Sequence, residues 1–314
     1  MSEDELIEAI SRSVATGEGV LVGIGDDAAM VEMGSGNLLL TTDMLVEGVH
    51  FDPSAISPTD LGYKSIVVNV SDVAAVAGSP RYATVGLALP AETPSGWVID
   101  LYRGMVEACG EYGLSIVGGD LSRSERIVIS VTIAGEVPRG RALTRSGASP
   151  GEAVAVTGCL GAASGGLKVG SKDALSEWGR ALSEAHARPV ARVGEAQILA
   201  GSGASAMMDL SDGLSTDLHR LCAASGVGAT IDLASLPICD QLEHLDVDPV
   251  DLALNGGEDY ELLVAIPRDA VEAATAKLKE HFGVAFTVVG EFTEPIEVMA
   301  DGRPLTPKGW DHFG

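Results

Sequence analysis

Basic residues, paired cysteines, long apolar runs and the usual nucleotide-binding signatures are all scarce in this sequence, and each scarcity removes a class of function. Lysine and arginine total 20 against 45 aspartates and glutamates, for a formal charge of −25. Phosphate backbones and anionic lipid surfaces are held by clustered Lys and Arg, so neither nucleic acid nor a membrane is expected as a partner. No stretch approaches the roughly eighteen unbroken apolar residues of a membrane span. The opening MSEDELIEAI is acidic and amphipathic, where a signal peptide would be basic and then apolar. The chain therefore reads as soluble and cytoplasmic. Its four cysteines, Cys109, Cys159, Cys222 and Cys239, form no CxxC pair and lie in apolar periodic segments, which predicts four reduced core residues.

Familiar catalytic motifs are missing too. GAASGGLK (161–168) nearly spells a phosphate loop, but Leu167 stands where the lysine must be and no Ser or Thr follows. VGIGDDA has two glycines before a small residue, yet no strand, turn and helix with a downstream ribose-binding acid follow it. HRD, DFG and HExxH do not occur, so protein-kinase and zincin machinery are excluded.

What is present is a chain of 314 residues, 46% hydrophobic, long enough for two domains. PRGRALTRSGASPG (138–151) lacks helical or strand periodicity and marks the boundary, predicting domains 1–140 and 141–314. In the first half NLLLTTD, YATVGLALP, LSIVGGD and RIVISVTIAGEV read as strands, and residues 60–77 and 95–112 as helices. The second half reads as strands EAVAVTG, AMMDL, ATIDLASL, YELLVAIP, AFTVVGEF and IEVMAD, with helices STDLHRLCAAS and AVEAATAKLKEHFG. Without a regular βαβ alternation, the fold class expected is α+β, with two layered αβ domains.

The chemistry lies in the aspartates. Asp26, Asp27, Asp43, Asp72, Asp120, Asp209 and Asp212 all stand where strand or helix ends meet small residues. A single aspartate in such a place is ordinarily a cap or a turn residue. Asp72, however, interrupts an apolar helix three positions after Asn69 and seven after Ser65, forming a polar stripe, and a carboxylate there needs a partner. No nearby run of basic residues supplies one, whereas hard divalent cations favour oxygen ligands completed by substrate phosphates. Mg²⁺ is the expected partner.

Eight ordered motifs, GIGDDAA, TTDMLVEGVHF, LGYKSIVVNVSDVAAVAGSP, IVGGD, GRALTRSGA, DLSDGLSTDL, NGGEDYELL and KGWDHF, resemble the thiamine-monophosphate kinase family along nearly the whole chain. The aspartate pattern is similar across the wider aminoimidazole ribonucleotide synthetase-like superfamily. The resemblance implies ATP-dependent, in-line phosphorylation of thiamine monophosphate with several Mg²⁺ ions. It also implies a homodimer paired through a mixed sheet in the N-terminal domains, with ATP near that interface. By motif matching, Asp27, Thr41, Thr42, Asp43, Asp72, Asp120, Asp209 and Asp212 are implied as metal ligands. Gly119, Asp120, Arg145 and Ser211 are implied as ATP contacts, and His50, Glu258 and Trp310 as contacts to the thiamine phosphate.

No general base is expected, because the acceptor is already an ionised phosphate and the task is alignment and charge neutralisation. Residue types alone leave blander readings open: a linker Arg as a salt-bridge partner, a lone His as a structural hydrogen-bond partner, and a C-terminal Trp as a staple of the tail. Two rivals stand beside the kinase, a related ATP-using synthetase and a non-catalytic acidic metal-binding protein. Selenophosphate synthesis would call for a reactive Cys near the N-terminus, and the first here is Cys109.

Overall fold

The computed structural model describes residues 5, 7, 19–34, 36–170 and 172–310; most of the acidic opening segment and the last three positions of KGWDHF fall outside them. Two mixed sheets result, separated by an irregular connection over 139–152. The first contains β1 (Val20–Val22), β2 (Ala29–Met33), β3 (Gly36–Val46), β4 (Ser79–Leu89), β5 (Ser115–Arg123) and β6 (Val128–Pro138), in the order β1-β2-β3-β6-β4-β5. All its neighbours are antiparallel except β4 and β5.

Alternation along these strands separates two faces. Leu39, Val85, Leu87, Ile129, Val131 and Ile133 form the buried face and pack on helices α1 (Pro58–Ala75) and α2 (Ser95–Tyr112). The opposite face leaves Leu40, Met44 and Tyr82 exposed. Helix α1 starts two residues before the expected 60: the Ser57 hydroxyl accepts from the Asp60 N–H at 3.1 Å and Pro58 opens the first turn, a cap worth about 1 kcal/mol. The two helices cross at glycines. A Cβ on Gly62 would lie 1.9 Å from the Leu101 carbonyl oxygen, and one on Gly104 would lie 1.7 Å from that of Thr59. Either substitution forces the helices apart.

The second sheet contains β7 (Ala153–Thr157), β8 (Ala206–Asp209), β9 (Gly228–Ile231), β10 (Leu262–Ile266), β11 (Phe286–Thr293), β12 (Val298–Ala300) and β13 (Arg303–Pro304), in the order β13-β12-β9-β11-β7-β10-β8. Strands β7, β8 and β10 are buried on both faces, which explains their unbroken apolar runs. On one face Val154, Met208 and Leu263 pack with residues of α6 (Leu214–Ser225) and α7 (Pro249–Asn255). On the other, Ala153, Met207 and Val264 pack with α5 (Val193–Gly201) and α8 (Val271–Phe282), together with Ala74 from the end of α1. Helix α1 is thus covered from both halves of the chain. Two short helices, α3 (Ala162–Gly166) and α4 (Glu177–Ala187), close one side.

Two expectations are corrected. ATIDLASL is a strand only to Ile231, because the Asp232 carboxylate accepts from the Ala234 N–H at 3.0 Å and turns Leu233–Ser235 into a 3₁₀ helix. Cys159 and Cys239, read as reduced core residues, form a disulfide across 80 positions; Cys109 and Cys222 are free and buried. Among the described residues, no helix is long and apolar enough to cross a membrane.

Candidate active site

Asp27 follows the turn before β2, Asp72 lies in the last turn of α1, and Asp209 ends β8. From these three distant segments, carboxylate oxygens converge within 4.8 Å of one another. Asp27 and Asp209 are buried, and one oxygen of Asp27 has no hydrogen-bond partner. Burial first, then the charges of Asp43, Asp209 and Asp27, hold the Asp72 carboxyl well above its usual range, against a hydrogen bond from Thr41. Asp209 is raised likewise by burial and by Asp27, while the Ser71 hydroxyl donates to it. That last bond joins the two halves, since Ser71 belongs to α1. An orphaned buried oxygen among mutually repelling carboxylates is a donor set suited to a hard divalent cation, and the residues present fit Mg²⁺.

Asp43 borders this cluster. Its backbone N–H donates to the Asn69 side chain at 2.9 Å, so the polar stripe of α1 fixes strand β3 as well as presenting Asp72. Burial and the Asp212 charge push the Asp43 carboxyl up to about 6. Two of the expected ligands already have cationic partners: Arg145 donates to Asp27 at 2.7 Å, and Arg220 donates to Asp212. Arg145 reaches Asp27 from a distant segment, and Arg220 reaches Asp212 from the helix that follows it, where no local basic run stands.

Strand parity divides the remaining expected ligands. Thr41 and Asp43 share the inner face with Ile133 and Val131. Thr42 and Met44 point the other way, and the Thr42 hydroxyl donates to the Val131 carbonyl at 3.0 Å and accepts from Thr132. Asp120 aligns through Gly86 and Ser130 with Met44, so it too lies on the outer face, on the exposed edge strand β5 beside Gly119. Within one chain, Gly119 and Asp120 are not brought to the acidic cluster.

A long cleft between the halves holds the cluster and also His50, Ser211, Glu258 and Trp310. NGGEDYE folds back on DLSDG through hydrogen bonds from the Glu258 N–H to the Ser211 carbonyl (2.8 Å) and from the Tyr260 N–H to the Leu210 carbonyl (2.9 Å). Glu258 and Tyr260 adopt positive φ, +68° and +51°, a left-handed conformation that is costly for such side chains and that aims Glu258 into the cleft. Between them, Asp259 accepts from the N–H groups of Gly161 and Ala163 at 2.7 and 3.3 Å. The helix start that mimics a phosphate loop is thus occupied by a carboxylate of the chain itself.

His50 accepts the Val46 N–H at Nδ1, 3.0 Å away, as well as lining the cleft. The tail is pinned by its backbone: Lys308 and Gly309 N–H groups donate to Ser215 and Thr216, and the Trp310 N–H donates to the Asp212 carbonyl at 3.2 Å. Trp310 is half exposed and lines the cleft.

Residue-by-residue reading of the sequence overlooks Lys64 and His186, which flank Glu258 at 3.0 Å each, and Arg220. Lys64 carried one signal: it lies two turns before Asp72 on the same side of α1.

Residues 25–137 match the AIR synthase related protein, N-terminal domain, and residues 149–300 match the C-terminal domain of the same description. The thiamine-monophosphate kinase of Escherichia coli (strain K12) is 40% identical over 314 residues, spanning 94% of this chain and 92% of that protein. That of Aquifex aeolicus (strain VF5) is 40% identical over 296 residues, spanning 92% of each. A solved structure, AaThiL complexed with AMPPCP and TMP, matches with a TM-score of 0.90 at 37% identity, covering 99% of this chain and 97% of that one.

Proposed function

Because the chain belongs to the thiamine-monophosphate kinase family of AIR synthase related proteins, we infer that it transfers the γ-phosphoryl group of ATP to thiamine monophosphate, yielding thiamine diphosphate and ADP. The observation that carries this reading is the meeting of Asp27, Asp72 and Asp209 at a cleft between the two halves. Asp43 and Thr41 border them from the inner face of β3, and Asp212 faces them from the loop after β8. These residues would hold Mg²⁺, which when bound supplies positive charge to the transferring phosphoryl group and to its neighbours.

The protein's own residues do the rest. Arg145 offers a planar fork of donors to ATP phosphate oxygens, and Ser211 gives ATP a further contact. His50, Glu258 and Trp310 receive thiamine monophosphate in the same cleft. No side chain serves as a base, because the acceptor phosphate is already anionic.

Gly119, Asp120 and the Thr42 side chain complete the site in a homodimer. Their outer face, with Leu40, Met44 and Tyr82 exposed on it, is the surface that a second copy covers, and ATP lies near that junction. The enzyme works in the cytoplasm, where ATP is supplied. A coupled assay of ADP release tests the activity. Release with Mg²⁺·ATP that depends on thiamine monophosphate is expected, and none above the acceptor-free rate would overturn the reading.

A further inference from the structure

Glu258 is held from both sides. Its Oε1 lies 3.0 Å from the Lys64 ammonium of α1, and its Oε2 lies 3.0 Å from Nδ1 of His186 at the end of α4. Among the described residues, each nitrogen makes its ion-pair contact with Glu258. The Lys64 side chain is 2% exposed, while Glu258 and His186, at 25% and 16%, reach the cleft. The order from core to solvent is therefore cation, carboxylate, cleft.

A fold that needed only packing at position 64 would gain nothing from a buried ammonium, since apolar side chains fill such places at least as well. Nor would it need Glu258 in a left-handed backbone conformation, which aims the carboxylate at Lys64 and His186 at once. Burial by itself would raise the Glu258 carboxyl, but the Lys64 charge and the hydrogen bond and charge of His186 prevail and bring it to about 2. The carboxylate is ionised near neutral pH and stands at one edge of the cleft. A fixed anion with lone pairs toward the cleft complements a ligand that carries a ring cation and an amino group, as the thiamine moiety does.

We propose that Lys64 and His186 are positioning residues that act through Glu258, locking its carboxylate as the element that recognises the cationic, amino-substituted rings of the acceptor. This rests on the reading of Glu258 as an acceptor contact. Because Lys64 comes from the first half of the chain and Glu258 from the second, the same pair registers the acceptor side of the cleft across the two halves.

Initial-rate kinetics on a double-mutant cycle test it. Glu258→Gln is expected to raise KM for thiamine monophosphate about tenfold or more, Lys64→Met about five- to tenfold, and both to leave KM for ATP within about twofold. If Lys64 acts through Glu258, the double variant is no worse than Glu258→Gln alone, within about twofold. Penalties that multiply in the double variant, or a Lys64→Met loss shared equally by both substrates, would overturn the proposal. Should Lys64→Met fail to fold, His186→Asn, alone and combined with Glu258→Gln, runs the same cycle at a more accessible position, and multiplicative penalties there overturn it equally. An unchanged KM in Glu258→Gln would instead defeat the assignment of Glu258 to the acceptor, and the positioning role with it, while leaving the kinase activity standing.

Discussion

Replacing Asp72 with Asn should stabilise the metal-free protein while disabling the enzyme, and the opposite signs make the test decisive. The oxygens of Asp27, Asp72 and Asp209 lie within 4.8 Å of one another. Two full negative charges at that separation repel by about 3.5 kcal/mol at an effective dielectric constant of about 20. The cluster relieves part of this by taking up protons, as the raised Asp72 and Asp209 carboxyls indicate, but protonation in neutral solution has its own cost. Asparagine removes the charge, keeps an acceptor for the Thr41 hydroxyl and nearly preserves volume. One pair's repulsion sets the scale of the gain, and at about 2 °C per kcal/mol for a chain of this size, Tm in EDTA should rise by roughly 7 °C.

In Mg²⁺ the balance reverses. Wild-type protein gains stability from metal and nucleotide in proportion to RT ln(1 + [L]/Kd), and the variant should lose most of that gain. Its kcat should fall by at least about a hundredfold, because transition-state charge is no longer neutralised. Differential scanning fluorimetry with and without EDTA, beside the ADP-release assay, reads both quantities. A Tm in EDTA that falls, accompanied by near-normal kcat, would show that Asp72 is a structural acceptor for Thr41 and not part of a cation site.

Other outcomes follow from the same geometry. The Asp43 carboxyl, raised from 3.8 to about 6 by burial and by Asp212, stabilises the fold most when protonated; stability of metal-free protein should therefore fall from pH 5 to pH 7, by about 1.3 kcal/mol from this group, and a flat Tm across that window would contradict it. Glu258, lowered to about 2, is ionised throughout that range and does not mask the slope. Trp310→Ala should raise KM for thiamine monophosphate roughly five- to hundredfold and leave KM for ATP within about twofold, with Trp310→Phe recovering most of the loss; an equal rise in both would return the ring to a structural role. Light scattering should give twice the 32.2 kDa chain mass, and a monomer mass at concentrations where the enzyme is active would refute pairing through the outer face of the first sheet.

Elements governed by local periodicity were legible in the sequence. The helix expected over 95–112 is α2 to the residue, because an apolar stripe meets Gly113 in the left-handed conformation that ends it. Strands β3, β4, β6, β7 and β10 fall where β-branched runs meet Gly, Pro or Asp. What local pattern could not supply was the second partner of each surface. Lys64 has the look of a solvated helical lysine until a second domain covers that face of α1. Asp27 seems unpaired until Arg145 arrives from another segment, and Asp212 until α6 turns Arg220 back toward it. Cys159 and Cys239 seem unrelated because their approach depends on the Leu160–Ile238 bridge between distant loops.

Helix α1 explains why the site exists only in the assembled chain. Its Asn69 fixes β3 at Asp43, its Ser71 donates to Asp209, its Lys64 meets Glu258, and its Ala74 packs in the core of the second sheet. The Ser71 and Lys64 contacts set acids of the second half against a helix of the first. Neither sheet alone holds three carboxylates close enough to need a cation, so packing along this one helix creates the electrostatic demand. The hydrophobic burial of Val67, Val70 and Val73 beside those polar positions is what offsets the repulsion until a metal relieves it. Polar and apolar residues alternate on α1 because one helix must both seal the two cores together and hold the acids apart from water.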